Sequence, residues 1–92
     1  MEANERYQLQ IDFYAASRSL NVWAMARKAA KELATISPEH WIKFKEVASE
    51  KVDKLVSLGG KLLEDTELDE TQRKALENKI LGARHFEESL VP

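Results

Sequence analysis

Between Arg6 and Leu20 the chain reads RYQLQIDFYAASRSL, and apolar Tyr7, Leu9, Ile11 and Phe13 alternate with polar Gln8, Gln10 and Asp12. Alternation of this kind is the mark of a half-buried strand. At the helical period the same residues separate into two stripes. Tyr7, Ile11, Tyr14, Val22, Met25, Ala29, Leu33 and Ile36 recur at three- and four-residue steps, and only Arg18 interrupts them. Leu9, Phe13, Ala16, Leu20 and Trp23 form a second stripe, rotated by about 200° from the first. Two stripes on nearly opposite sides imitate a strand when sampled at every second residue. One register held without Gly or Pro predicts a single helix over about residues 4–35. Ser17, Ser19 and Asn21 are mediocre helix formers and allow a kink near 19–21.

The motif TISPEHW punctuates the chain. Ser37 suits an N-cap, Pro38 the first helical position, and Glu39 the positive end of the helix dipole. Beyond it Trp41, Phe44, Ala48, Val52, Leu55, Leu58 and Leu62 build a one-sided stripe, which predicts a helix over about 38–64. Gly59 and Gly60 interrupt that helix at a cost of roughly 1 kcal/mol each relative to Ala. Gly59 falls in line with Ala48 and Val52, so it marks either a close approach by a neighbouring helix or a fray near the helix end. In EDTELDETQ, Asp69 followed by Gln72 has the form of a capping box. Leu76, Ile80, Ala83, Phe86 and Leu90 then predict a third helix over about 70–90.

The expected architecture is all-α, a single helical domain over residues 1–92. It is a small antiparallel bundle in which the two long helices form a hairpin and the third folds back across it. Trp41, Phe44, Val52, Leu55, Ile80 and Phe86 are expected in the core. A helix in such a bundle turns one apolar face inward. With Tyr7, Ile11 and Tyr14 inside, the stripe of Leu9, Phe13, Ala16, Leu20 and Trp23 needs cover from elsewhere. Arg27 and Lys31 continue it as a basic rim. Aromatic anchors beside Arg are the make-up of protein interfaces. These seven residues are therefore the candidate partner-binding site, for a second copy (a homo-oligomer, most simply a dimer) or a larger protein. The alternative is that the first helix is central in its own bundle, with both faces internal.

Composition narrows the function. The chain has no cysteine, which excludes disulfides and thiolate chemistry and is compatible with a cytoplasmic setting. No apolar run approaches the roughly 18–20 residues of a membrane span, and no secretory signal is expected at the N-terminus. No membrane partner is expected. Asp65, Glu67 and Asp69 alternate as early calcium ligands do, but Glu70 stands where a loop glycine belongs and Leu76 where a bidentate Glu should close it. His40 and His85 are isolated, and LGGK lacks the remainder of a phosphate loop. Catalytic residues, cofactors and metals are accordingly expected to be none. The function expected is a non-enzymatic interaction module, oligomeric, acting as a small adaptor, inhibitor or regulatory subunit.

A nucleic-acid-associated regulator is the alternative. If residues 6–13 were a strand, QLQID followed by two helices resembles the ribbon–helix–helix repressors, whose N-terminal strands pair across a dimer and enter the major groove. That resemblance implies Gln8, Gln10 and Asp12 as base-facing residues. Glu2, Glu5 and Asp12 depart from it by making the face acidic, with only Arg6 opposed. A helix-turn-helix over ARKAAKELATISPEHWIKF fails because Pro38 opens its second helix. A cluster of Arg27, Lys28 and Lys31 on a dimer is the other route to a phosphate backbone. Residues 65–92, with four basic against seven acidic side chains, would repel one.

Overall fold

A computed structural model describes residues 1–90 and contains four helices: α1 (Ala3–Met25), α2 (Arg27–Leu33), α3 (Pro38–Leu63) and α4 (Glu70–Glu88). Among the described residues there is no strand, and the alternating segment from Tyr7 to Phe13 is helical throughout. The chain is thus the all-α bundle that its periodicity predicts. The interruption in the first long helix falls at Ala26 and not at 19–21. Ala26 keeps helical angles, and its N–H is shared between the carbonyls of Val22 (3.2 Å) and Trp23 (3.1 Å). Its own carbonyl accepts from Ala30 at 2.9 Å. The turn tightens locally without losing register, because Ala30 and Ala34 of the following segment pack into the same cluster as Trp23. Ser17 and Ser19 do not break the helix; Ser17 is buried, and the Ser19 hydroxyl accepts from Lys51 at 2.6 Å.

Ser37 is extended ahead of Pro38, as the sequence requires, although its hydroxyl makes no capping bond. The α4 start has a complete capping box. The Asp69 carboxylate accepts from the Gln72 N–H at 2.7 Å, and the Gln72 side-chain oxygen accepts from the Asp69 N–H at 3.1 Å.

Helix α3 is the member that both other layers lean on. Along one edge α1 and α2 run antiparallel to it, so that Arg6 meets Asp65, Phe13 meets Gly59, Ser19 meets Lys51 and Trp23 meets Phe44. Along the other edge α4 returns, and Arg73 meets Leu63, Ile80 meets Gly59 and Glu87 meets Ser49. Phe13, Ala16 and Leu20 of α1 share one core cluster with Val52, Leu55 and Leu62 of α3 and Ala83 of α4. Trp41, Phe44, Ala48 and Leu90 form a second cluster at the α2 end. Of the six residues expected in the core, Trp41, Phe44, Val52 and Leu55 are buried, while Ile80 and Phe86 are half-buried against it. The bundle measures 50 × 21 × 15 Å, thin enough that α1 is covered on one side only.

The two glycines of α3 have different reasons to exist. A methyl group on Gly59 would lie 2.9 Å from Ile80 Cδ1 and 3.1 Å from Phe13 Cε2. Close approach, and not fraying, therefore accounts for Gly59: α1 and α4 both rest side chains on its bare backbone. Gly60 faces open space, with nothing within 4 Å of its notional Cβ. In urea titrations, Gly59→Leu should lose roughly 1–3 kcal/mol or more through overpacking. Gly60→Ala should gain about 0.5–1 kcal/mol by relieving helix-interior glycine.

Candidate interaction surface

The residues expected to meet a partner lie against the chain's own helices. Phe13, Ala16 and Leu20 are buried in the main core, Leu9 is half-buried against it, and Trp23 is half-buried in the second cluster. The basic rim is also turned onto the bundle. Arg27 Nη2 donates to the Ser89 carbonyl at 3.0 Å, tying α2 to the end of α4, and the Lys31 ammonium sits 5.8 Å from the Trp41 ring centre. The expectation that this stripe needs an external cover is therefore corrected. The α3 face is wide enough to receive α1 and α4 side by side, so the small and aliphatic stripe of α1 is its natural complement.

The second cluster is organised by three parallel rings. Trp23 and Phe44 stack at 5.1 Å between centroids, and Phe44 and Trp41 at 5.5 Å, each pair inclined by 9°. Each such pair contributes about 0.5–1.5 kcal/mol beyond its area. Trp23 Nε1 donates to the Phe44 carbonyl at 3.2 Å, so the indole enters the cluster without an orphaned donor. Lys51 lies 5.3 Å from the Trp23 centroid and Lys45 6.0 Å from that of Trp41. Their stems follow the apolar face while their charges stay over the rings.

The apolar surplus is on the opposite side. Tyr7, Ile11, Tyr14, Val22, Met25, Leu33 and Ile36 are all exposed, with Met25 at 83% and Ile36 at 84% of full accessibility. They run along the outer face of α1 and α2, broken only by Arg18, whose guanidinium lies 5.9 Å from the Tyr14 ring centre. At the α2 end the face meets a cleft of about 390 Å³. Leu33 and Ala30 form one wall, Trp23, Phe44 and Val47 the other, and Glu39, His40 and Lys43 stand at its mouth. Nothing in the sequence pattern announced this cleft, because its walls come from three different helices.

The acidic turn is structural. Asp65 is buried, and its carboxylate accepts from Arg6 Nε; Arg6 Nη2 also reaches Glu67 at 2.7 Å. The Glu67 N–H donates to Asp65 Oδ1 at 3.1 Å, and Arg73 Nη1 donates to the Leu63 carbonyl at 3.1 Å. Arg6 and the Glu67 amide hold the Asp65 carboxyl below its ordinary value of 3.8, because both bond the charged form. The Arg6 guanidinium is correspondingly raised, chiefly by its hydrogen bond to Asp65. His40 and His85 are exposed, and among the described residues no three His, Cys, Asp or Glu side chains converge as a metal site. No helix is long and apolar enough to cross a membrane among the described residues.

The ribbon alternative is also corrected, since its strand is a helix in which Gln8 Nε2 donates to Asp12 Oδ1 at 2.9 Å. In the basic cluster, Arg27 and Lys31 engage Ser89 and Trp41 of their own chain, leaving Lys28 without such a contact. Comparison with protein-family models, characterised proteins and solved structures finds no match for the chain.

Because the folded-state carboxyl of Asp65 is lowered, its contribution to stability is complete above the unfolded value and is lost as pH falls through the folded one. Asp65→Asn should lower the melting temperature at neutral pH. It should also flatten the decline below about pH 4 that the parent protein shows. Calorimetry of both proteins between neutral pH and pH 2 measures this.

Proposed function

We propose that the chain is a non-enzymatic protein-interaction module, an adaptor, inhibitor or regulatory subunit, that binds through the outer face of α1 and α2. One observation carries this proposal: a line of large apolar side chains, two of them tyrosines and interrupted only by Arg18, stands uncovered on a bundle whose core is formed by the opposite face. Apolar residues scattered singly over a surface need no explanation, but a contiguous stripe rimmed by polar residues marks an interaction site. Burying each large side chain would contribute roughly 1.5–3 kcal/mol. Tyrosine adds area at low conformational cost, together with a hydroxyl that tolerates water until the partner arrives.

The shape of the face suits a helix or a groove of comparable length. Its apolar positions form one narrow seam along the helix, which matches the ridge another helix presents. The cleft beside Leu33 gives one end of the seam a recess for an anchoring side chain.

The two faces of α1 separate in one experiment. Phe13→Glu should destabilise the bundle by at least about 3 kcal/mol, because it removes a core ring and buries a charge. Tyr14→Glu with Val22→Glu should change stability by no more than about 0.5 kcal/mol per site, while capture of protein partners from the source cell is lost. Leu81→Glu, on the exposed side of α4, should leave both stability and capture intact. Unchanged capture by the Tyr14/Val22 variant would overturn the proposal.

A further inference from the structure

We infer that the outer face of α1 and α2 pairs with the same face of a second copy, antiparallel, about a two-fold axis passing at Met25. This inference rests on the interaction-module proposal and names the partner of that same surface. Its basis is a palindrome of chemistry along the face. Arg18 lies seven residues before Met25 and Glu32 seven after it; Tyr14 lies eleven before and Ile36 eleven after. Seven residues are close to two helical turns, about 10.5 Å along the axis, and eleven are close to three turns. Tyr14, Arg18, Met25 and Glu32 therefore share one side, with exposed Ile36 following in the turn that ends α2, provided the register survives the junction at Ala26. It does survive, because Arg27, Ala30 and Ala34 keep facing the bundle as Trp23 does, which leaves Ala29, Leu33 and Ile36 outward.

A two-fold axis makes an interface self-complementary, so a residue before the axis on one copy meets its counterpart after the axis on the other. With the axis at Met25, Arg18 of one copy stands beside Glu32 of the other, twice over. Tyr14 stands beside Ile36, and the two Met25 side chains pack on each other, where methionine adapts to fill the gap. Ala26 and Ala29 are small enough to let the backbones approach near the axis.

The charge argument is the selective one. Arg18 is the one charged side chain within the apolar line of α1, and burying it unpaired against a foreign surface would be costly. Among the described residues neither Arg18 nor Glu32 takes part in an ion pair, and both are exposed. Arg18 is instead held over the Tyr14 ring at 5.9 Å, pointing along the face and not away from it. The chain itself supplies the acid that this cation needs, at the distance the two-fold demands. The helical part of the paired run, from Tyr14 to Leu33, is about 28 Å long. With Tyr14, Val22, Met25, Leu33 and Ile36 on each side, it approaches the scale of a standard interface, about 800 Å² per partner.

The test combines light scattering over a concentration series with charge exchange and site-specific cross-linking. Arg18→Glu alone and Glu32→Arg alone should each weaken dimerisation tenfold or more, and the double exchange R18E/E32R should restore it. Met25→Cys, in a chain with no other cysteine, should oxidise to a disulfide-linked dimer. Tyr7→Cys, on the same face but eighteen residues from the axis, should not. A monomer at every concentration, a dimer indifferent to both charge reversals, or cross-linking through Tyr7 would each overturn the inference. If the parent chain is monomeric yet Tyr14→Glu with Val22→Glu still strips a captured protein, the second copy is excluded and the interaction module stands. If neither self-association nor capture responds to this face, both proposals fall.

Discussion

The contact of Phe13 and Ile80 with the bare backbone of Gly59 is what the remaining arrangement depends on. Three helices can lie this close only where one of them has no side chain to offer, and α3 provides that place one turn before its end. Once Phe13 is seated there, α1 has no rotational freedom left. Ala16 and Leu20 must follow onto Leu55 and Val52, and Trp23 must arrive beside Phe44. Every residue on the other side of α1 is then committed to solvent, whatever its chemistry. The exposed tyrosines and Met25 are thus the complement of a packing decision made at a glycine.

Polar ties at the two ends hold that decision in place. At one end Arg6 joins the start of α1 to the turn between α3 and α4 through Asp65. At the other Arg27 joins α2 to the Ser89 carbonyl, just past the end of α4. Both cations lie on α1–α2, and their acceptors lie just past the ends of α3 and α4, so the outer layer is fastened to both of the other long helices. Between the ties the contacts are apolar and close-packed, which leaves the outer face of α1–α2 as a rigid rod on which side chains are displayed at fixed spacing. A rigid face loses little conformational entropy on binding.

The helical class, the capping box at Asp69 and most of the core were legible in the sequence because each rests on local periodicity or a local cap. Which face of α1 turns inward was not, since both stripes have the correct period and a period says nothing about direction. A signal was nonetheless present in the composition of the stripes. The outer one contains two tyrosines and Arg18, which keep a polar end in water, whereas the inner one runs Leu9, Phe13, Ala16, Leu20 with no charge. The burial of Asp65 is not legible in the sequence because its partner, Arg6, is 59 residues away in the chain, and no local pattern reports a pair that distant. The cleft beside Leu33 escaped for the same reason, since its walls come from three different helices.

The triple stack at the α2 end has a consequence for how this molecule can be watched. Both tryptophans of the chain belong to it, and each has a lysine ammonium over its ring. Indole emission therefore samples one end of a 50 Å bundle and is silent about the end that Arg6 and Asp65 close. Opening of α2 away from α3 would alter fluorescence while circular dichroism barely changed. Loosening at the Arg6 end would leave the fluorescence unchanged. Tryptophan emission is thus a local probe of the α2 end, whereas circular dichroism sums over all four helices.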